Sequence, residues 1–309
     1  VNPLTAALER HTVLILDGAL ATELEQRGCD LNDPLWSARV LIEQPELIEQ
    51  VHADYFAAGA DIAITASYQA SFAGFAARGI NDEAATALLQ RSVELARRAR
   101  DRFVAAGLPA DRPQPLVAAS IGPYGAYLHD GSEYRGDYRL SEDELIAWHR
   151  PRLAALAAAG PDLLACETIP TLREARALAR LLSEFPQLSA WISFTARDGL
   201  HTSRGEPIAA CAAELADFPQ IAALGINCSA PRHLPSLIAQ IRGACNLPVV
   251  VYPNSGEAWD AANHCWFGSS DSGDFAALAC SWQQAGAQLI GGCCRTGPQH
   301  IRALAAALR

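Results

Sequence analysis

Cysteine supplies the sharpest chemical signal in this chain. Two thiols stand side by side in Gly291-Gly292-Cys293-Cys294-Arg295-Thr296, and a third closes Gly225-Ile226-Asn227-Cys228. Three thiolates brought to one point suit a tetrahedral Zn2+ whose fourth position stays open to an exchangeable ligand, a catalytic rather than a structural arrangement. The glycine pair before the tandem would let the backbone bend so that both thiols face one ion. Spacing alone leaves other readings open. The three can be small buried hydrophobes, or Cys293 and Cys294 can cycle between dithiol and strained vicinal disulfide, as in a redox protein. His264 and Cys265 offer a further ligand, while the remaining histidines show no HxH or HExxH spacing and so no histidine-held zinc.

Acids and hydroxyls form a second set. Asp17, in Asp17-Gly18-Ala19, and Glu167, in Cys166-Glu167-Thr168, each end an apolar run. Two carboxylates of this kind can hold an ammonium group; read singly, each is as readily a loop cap or an ion-pair partner. The stretch 121–138 carries Tyr124, Tyr127, Tyr134 and Tyr138 among acids, a composition suited to a desolvated cation over aromatic faces, or simply to a long folded loop. Asn227, beside a thiol, can orient substrate or hold its own loop. Tyr68, Thr195 and Ser255 close other apolar runs and offer hydroxyls.

These groups converge only if the chain folds so that run ends share one face. Apolar, β-branched runs recur at 13–17, 61–67, 116–121, 162–167, 190–195, 221–228, 249–252 and 288–293, with helical periodicity between them and a last helix at 298–308. Start signals support the helices: Pro45 before Glu46, Ser141 three residues before Glu144, and Thr171 three before Glu174. Gly59, Gly160 and Gly286 mark helix ends. Eight strand-helix units predict one closed (β/α)8 TIM barrel spanning 1–309 as a single domain. A doubly wound open sheet is the competing fold, but the turn after the first run, Asp17-Gly18-Ala19-Leu20-Ala21-Thr22, is not the GxGxxG that a dinucleotide would require. In a barrel the sixth and eighth strands are separated by one strand, at about 4.8 Å per step, so their terminal thiols can meet. The long insertions, 19–43, 122–140 and 253–273, all follow strands and fall on the same catalytic face.

Composition removes several classes. All 24 basic residues are Arg, and a chain without Lys forms no lysine Schiff base and no GxxxxGK[ST] phosphate loop. The formal charge of −10, without a basic cluster, argues against nucleic-acid partners. No apolar stretch approaches the roughly 20 residues needed to span a bilayer. With no basic, then apolar, leader at the start, the expectation is a cytoplasmic chain with reduced thiols and no membrane partner. Nothing in the pattern selects an oligomeric state.

Taken together, 17–24, Cys166-Glu167-Thr168, Gly225-Ile226-Asn227-Cys228 and Gly291-Gly292-Cys293-Cys294-Arg295-Thr296 resemble the homocysteine S-methyltransferase family, over essentially the whole chain and in the family's order. The resemblance implies a (β/α)8 barrel and one Zn2+ held by Cys228, Cys293 and Cys294. It further implies L-homocysteine as methyl acceptor and Asp17 and Glu167 at its amino group. Tyr68 would lie near the metal before substrate arrives, and Thr195 and Ser255 at the carboxylate. The segment 121–138 is similar to the branch that uses a sulfonium donor, S-methylmethionine or S-adenosylmethionine, with Tyr124 and Tyr134 as its wall. Selenohomocysteine, selenocysteine or another thiol acceptor on the same site is the alternative.

Overall fold

The computed structural model describes residues 2–29, 37–256, 258–260, 265–267 and 271–309, and it turns all eight apolar runs into parallel strands. They are β1 (Leu14–Ile15), β2 (Ile62–Ile64), β3 (Leu116–Ile121), β4 (Leu163–Ile169), β5 (Ala190–Phe194), β6 (Ile221–Asn227), β7 (Val249–Tyr252) and β8 (Ala287–Ile290). Their spatial order is β1-β8-β7-β6-β5-β4-β3-β2. Between β1 and β2 the ring closes through a parallel bridge, Leu16 to Ile62, with the Asp17 amide donating to the Ile62 carbonyl at 3.0 Å. Closure rules out the open sheet. Each strand is followed by an outer helix: α1 (Pro45–Ala58), α2 (Asp82–Ala105), α3 (Glu142–Ala158), α4 (Leu172–Leu182), α5 (Ile208–Leu215), α6 (Leu234–Ala244), α7 (Ser272–Ala285) and α8 (Pro298–Leu308).

Local chemistry sets the helix boundaries. Ser141 and Glu144 form the full reciprocal capping box of α3. At α4 the Thr171 hydroxyl accepts from the Glu174 amide as expected, but the Glu174 carboxylate turns inward, to the Tyr124 amide and His149. Gly59, Gly160 and Gly286 follow helices with φ of 122°, 66° and 110°, a region that disfavours any residue with a Cβ.

Period-two alternation along the strands divides the core. Leu14, Ala118, Leu163, Ala165, Trp191, Ala223, Val250 and Leu289 point inward and fill the barrel, and Leu4, on the short helix Pro3–Leu8, joins that cluster. Ile15, Val117, Leu164, Cys166, Ile192, Leu224, Val251 and Ile290 point outward against the helices. At Gly225 the wall is so close that a Cβ would lie 1.6 Å from the Val250 carbonyl oxygen, so only glycine fits. Among the described residues no helix is long and apolar enough to cross a membrane.

Candidate active site

The alternation that fills the barrel with apolar groups places polar ones at its C-terminal mouth. Ser120, Glu167, Ser193, Asn227 and Tyr252 are the next inward positions on five strands, and they bond into one layer. Ser120 donates to Glu167. The Ser193 and Tyr252 hydroxyls lie 2.7 Å apart, and Trp191 Nε1 donates to the Tyr252 hydroxyl at 3.0 Å. Asn227 accepts from the Thr168 amide at 2.8 Å and from Ser193 at 2.9 Å, and donates to the Thr168 hydroxyl at 2.8 Å. Its amide is thus engaged in tying β4, β5 and β6 together.

The thiols stand on this layer. Cys228, one residue beyond β6, adopts a left-handed backbone with φ of 49°, and Arg295 after the tandem does so with φ of 67°. Strained positions of this kind persist where surrounding contacts over-determine them. Gly291 and Gly292 are needed for proximity rather than for an unusual φ. A Cβ on Gly291 would lie 2.5 Å from Leu16 Cβ, and one on Gly292 would lie 2.3 Å from Thr296 Oγ1. The backbone is therefore pressed against β1 as the tandem enters the mouth, and the Cys293 amide donates to the Pro253 carbonyl at 2.7 Å. Cys293 Sγ is 3.1 Å and Cys294 Sγ 3.6 Å from Cys228 Sγ, and the three sulfurs lie within 4.8 Å of one another. A tetrahedral ion with bonds of about 2.3 Å spaces its sulfurs about 3.8 Å apart, so the donor set fits a zinc-like metal. Hydrogen bonds from Cys228 and Cys293 already push the Cys294 thiol well below its ordinary value.

The cluster faces a cavity of about 850 Å³. Asp17, Tyr68, Tyr134 and Glu167 line it together with the three cysteines. Asp17 and Glu167 are nearly inaccessible. Burial pushes the Asp17 carboxyl well above its usual range, against the stabilising Ile64 amide and with the Glu167 charge adding to the rise. Burial likewise pushes Glu167 up to about 7, opposed by its contacts with Ser120 and Tyr252. Two acids held this way favour a cationic guest. The Tyr134 hydroxyl lies 3.2 Å from Cys228 Sγ.

Four sequence candidates do not line the cavity. Asn227 sits beneath it, as described. Thr195 donates to the Glu133 carbonyl at 3.1 Å. The Ser255 amide donates to the Cys294 carbonyl at 3.0 Å, tethering the tandem. Tyr124 packs edge-on against Trp148, with ring centroids 5.2 Å apart, and its amide donates to Glu174. His264 lies outside the described residues, as does the side chain of Cys265. Thr168, Tyr252 and Arg295, from segments the sequence points to, and Glu133, among the acids of 121–138, also line the cavity, as do Glu25 and Arg232, which the sequence did not mark. Tyr252 also follows the inward Val250 by two residues on β7.

Comparison with known proteins agrees with this geometry. The family model described as homocysteine S-methyltransferase matches residues 14–308. The Bacillus subtilis homocysteine S-methyltransferase YbgG is 57% identical over 307 residues, covering 99% of this chain and 98% of its own. Crystal structures of the Escherichia coli homocysteine methyltransferase MmuM, in oxidized and metallated forms, superpose with TM-scores of 0.91 and 0.90, each at 53% identity and covering 99% of both chains. A closed barrel carrying three converging thiols, matched end to end by these proteins, belongs to the homocysteine S-methyltransferase family and is an enzyme that transfers a methyl group to homocysteine.

Proposed function

We propose that Cys228, Cys293 and Cys294 hold one Zn2+, that homocysteine binds with its sulfur toward that site, and that the methyl donor is a sulfonium, S-methylmethionine or S-adenosylmethionine. The convergence of three thiols beside two buried carboxyls that form no ion pair among the described residues carries this reading. A metallated form of the Escherichia coli relative supports the metal. Zinc at such a site lowers the proton affinity of a substrate thiol, whose ordinary pKa is about 8.5, and so maintains it as thiolate at neutral pH.

The chain's own residues bind and orient. Asp17 and Glu167 take the homocysteine ammonium, which restores both acids to their charged forms. Tyr68 and Tyr134 form the wall along which the donor approaches. Asn227, Thr195, Ser255 and Tyr124 act one step removed, by holding Thr168, the Glu133 carbonyl, the cysteine tandem and the loop after β3. A lone pair on the homocysteine sulfur forms the new S–CH3 bond while the donor's C–S bond breaks. The bonding electrons return to the donor sulfur, which leaves as a neutral thioether and requires no proton donor. A chemistry that depends on reduced thiols suits the cytoplasm.

Zinc-loaded protein in reducing buffer, incubated with homocysteine and S-methylmethionine, S-adenosylmethionine or betaine in parallel, tests the reading. Methionine formed with a sulfonium donor, abolished by chelation and restored by zinc, is the expected result. Turnover that survives complete metal removal, or that occurs with betaine alone, overturns it.

A further inference from the structure

Resting on that reading, we propose that Glu133 is the binding residue for the positive charge of the methyl donor. Its Oε2 is buried and has no hydrogen-bond partner. Arg135, two residues away, instead turns to Asp130 and Asp137, at 3.5 and 3.3 Å. Glu133 lines the cavity with Tyr68 and Tyr134, and it shares the electrostatic environment of Tyr68 and Cys228.

The carboxylate is presented by a constrained turn. Ser132–Tyr134 form one turn of 3-10 helix, begun by Asp130, whose Oδ1 accepts from the Ser132 amide at 2.9 Å. Thr195, just past β5, donates to the Glu133 carbonyl. On the other side, a Cβ at Gly125 would lie 2.6 Å from the Glu133 nitrogen, so the helix Tyr124–Leu128 abuts the turn backbone to backbone. The backbone that carries Glu133 is therefore held at the cavity by contacts on both sides.

The chemistry of a sulfonium matches what this position offers. The cation has no N–H or O–H to donate, so it is recognised by charge and by aromatic faces rather than by hydrogen-bonding geometry. A carboxylate with one oxygen left without a donor, lining the same cavity as Tyr68 and Tyr134, meets that need. Asp17 and Glu167 are each bonded across the mouth to a neighbouring strand, by the Ile64 amide and the Ser120 hydroxyl, and suit an ammonium.

Charge balance makes the role specific. In the transfer, the thiolate's negative charge and the sulfonium's positive charge cancel, and the product is neutral. An anion beside the sulfonium therefore favours bound donor over the transition state, and it favours donor over departing thioether. Such a contact lowers the donor's KM without raising kcat.

The experiment compares wild type with Glu133→Gln and Glu133→Asp. Steady-state kinetics use S-methylmethionine and homocysteine, and calorimetric binding uses trimethylsulfonium as a minimal cation. For Glu133→Gln the expected result is a donor KM raised about tenfold, homocysteine KM within twofold, and kcat unchanged or slightly raised. Trimethylsulfonium binding should weaken at least fivefold, with partial recovery in Glu133→Asp. Equal rises in both KM values, or a collapse of kcat at unchanged donor KM, overturn the assignment. If wild type accepts no sulfonium donor, the donor reading fails separately, and the trimethylsulfonium titration still decides whether Glu133 binds a cation: equal affinity in wild type and Glu133→Gln overturns it.

Discussion

Asp17 and Asp61 do the same backbone work at opposite ends of the seam between β1 and β2, yet their surroundings differ. Asp17 Oδ2 accepts from the Ile64 amide at 2.8 Å, and Asp61 Oδ2 accepts from the Ile15 amide at 2.9 Å. At the N-terminal end, Asp61 also meets Arg309 at 2.5 Å and Arg112 at 3.4 Å. At the C-terminal end no arginine among the described residues pairs with Asp17, and burial holds its carboxyl far above the usual range. Asp61 has its charge compensated by arginines, whereas among the described residues Asp17 does not. Glu174 and Glu133 repeat the contrast. The first is fully buried, bonded to His149, Tyr138 and the Tyr124 amide, while the second keeps an oxygen unpartnered.

Replacing any one of Cys228, Cys293 and Cys294 by Ala should have the largest effect, loss of bound zinc and a fall in turnover of about a thousandfold or more, read by metal analysis and methionine formation. Next, Asp61→Asn removes the counter-charge of two guanidinium groups and should lower unfolding free energy by about 3 kcal/mol in a denaturant titration, with homocysteine KM within twofold.

His52 tests whether an unpartnered group away from the cavity is purely a stability matter. Both its ring nitrogens are buried without partners, and burial lowers its pKa to about 4. The folded state therefore holds it neutral while the unfolded chain protonates it near 6.5, so stability falls as pH drops from about 6.5 toward 4, by up to about 3 kcal/mol. His52→Leu should flatten that segment of a stability-against-pH curve and leave KM alone. His149, bonded to Glu174 at 2.8 Å and close to Arg152 at 3.0 Å, is the paired counterpart.

The smallest effect sharpens the comparison most. Asp17→Asn should raise homocysteine KM about 10- to 100-fold, the loss of a charge-assisted hydrogen bond worth about 1.5–3 kcal/mol, without lowering Tm, because an uncompensated buried acid is removed. Should Asp17→Asn destabilise the fold as much as Asp61→Asn, the division between the two ends is wrong.

Much of the fold was legible because its signals are local. The eight runs, the Ser141 cap and the three terminal glycines depend on residues a few positions apart, and each appears where the pattern puts it. The thiols were legible as a set because strand order fixes which run ends are near. Tyr124 and Tyr134 show where that reach stops. They share one loop and the same composition, yet Tyr134 contacts Cys228 while Tyr124 packs on Trp148.

By itself, then, the sequence determined the alternation of strands and helices, the thiol set, and the face on which acids and tyrosines would gather. Those follow from periodicity and cap chemistry, which act within a few residues. Only the tertiary structure decided which acids are paired, that Asn227 and Thr195 bond to neighbouring residues, and that Glu133 lines the cavity with an oxygen unpartnered. These are outcomes of contacts between strands and loops dozens to hundreds of residues apart, as in Asp61 meeting Arg309 or Thr195 meeting the Glu133 carbonyl. A side chain's charge is written in the sequence, but whether that charge is compensated depends on what the closed barrel brings beside it.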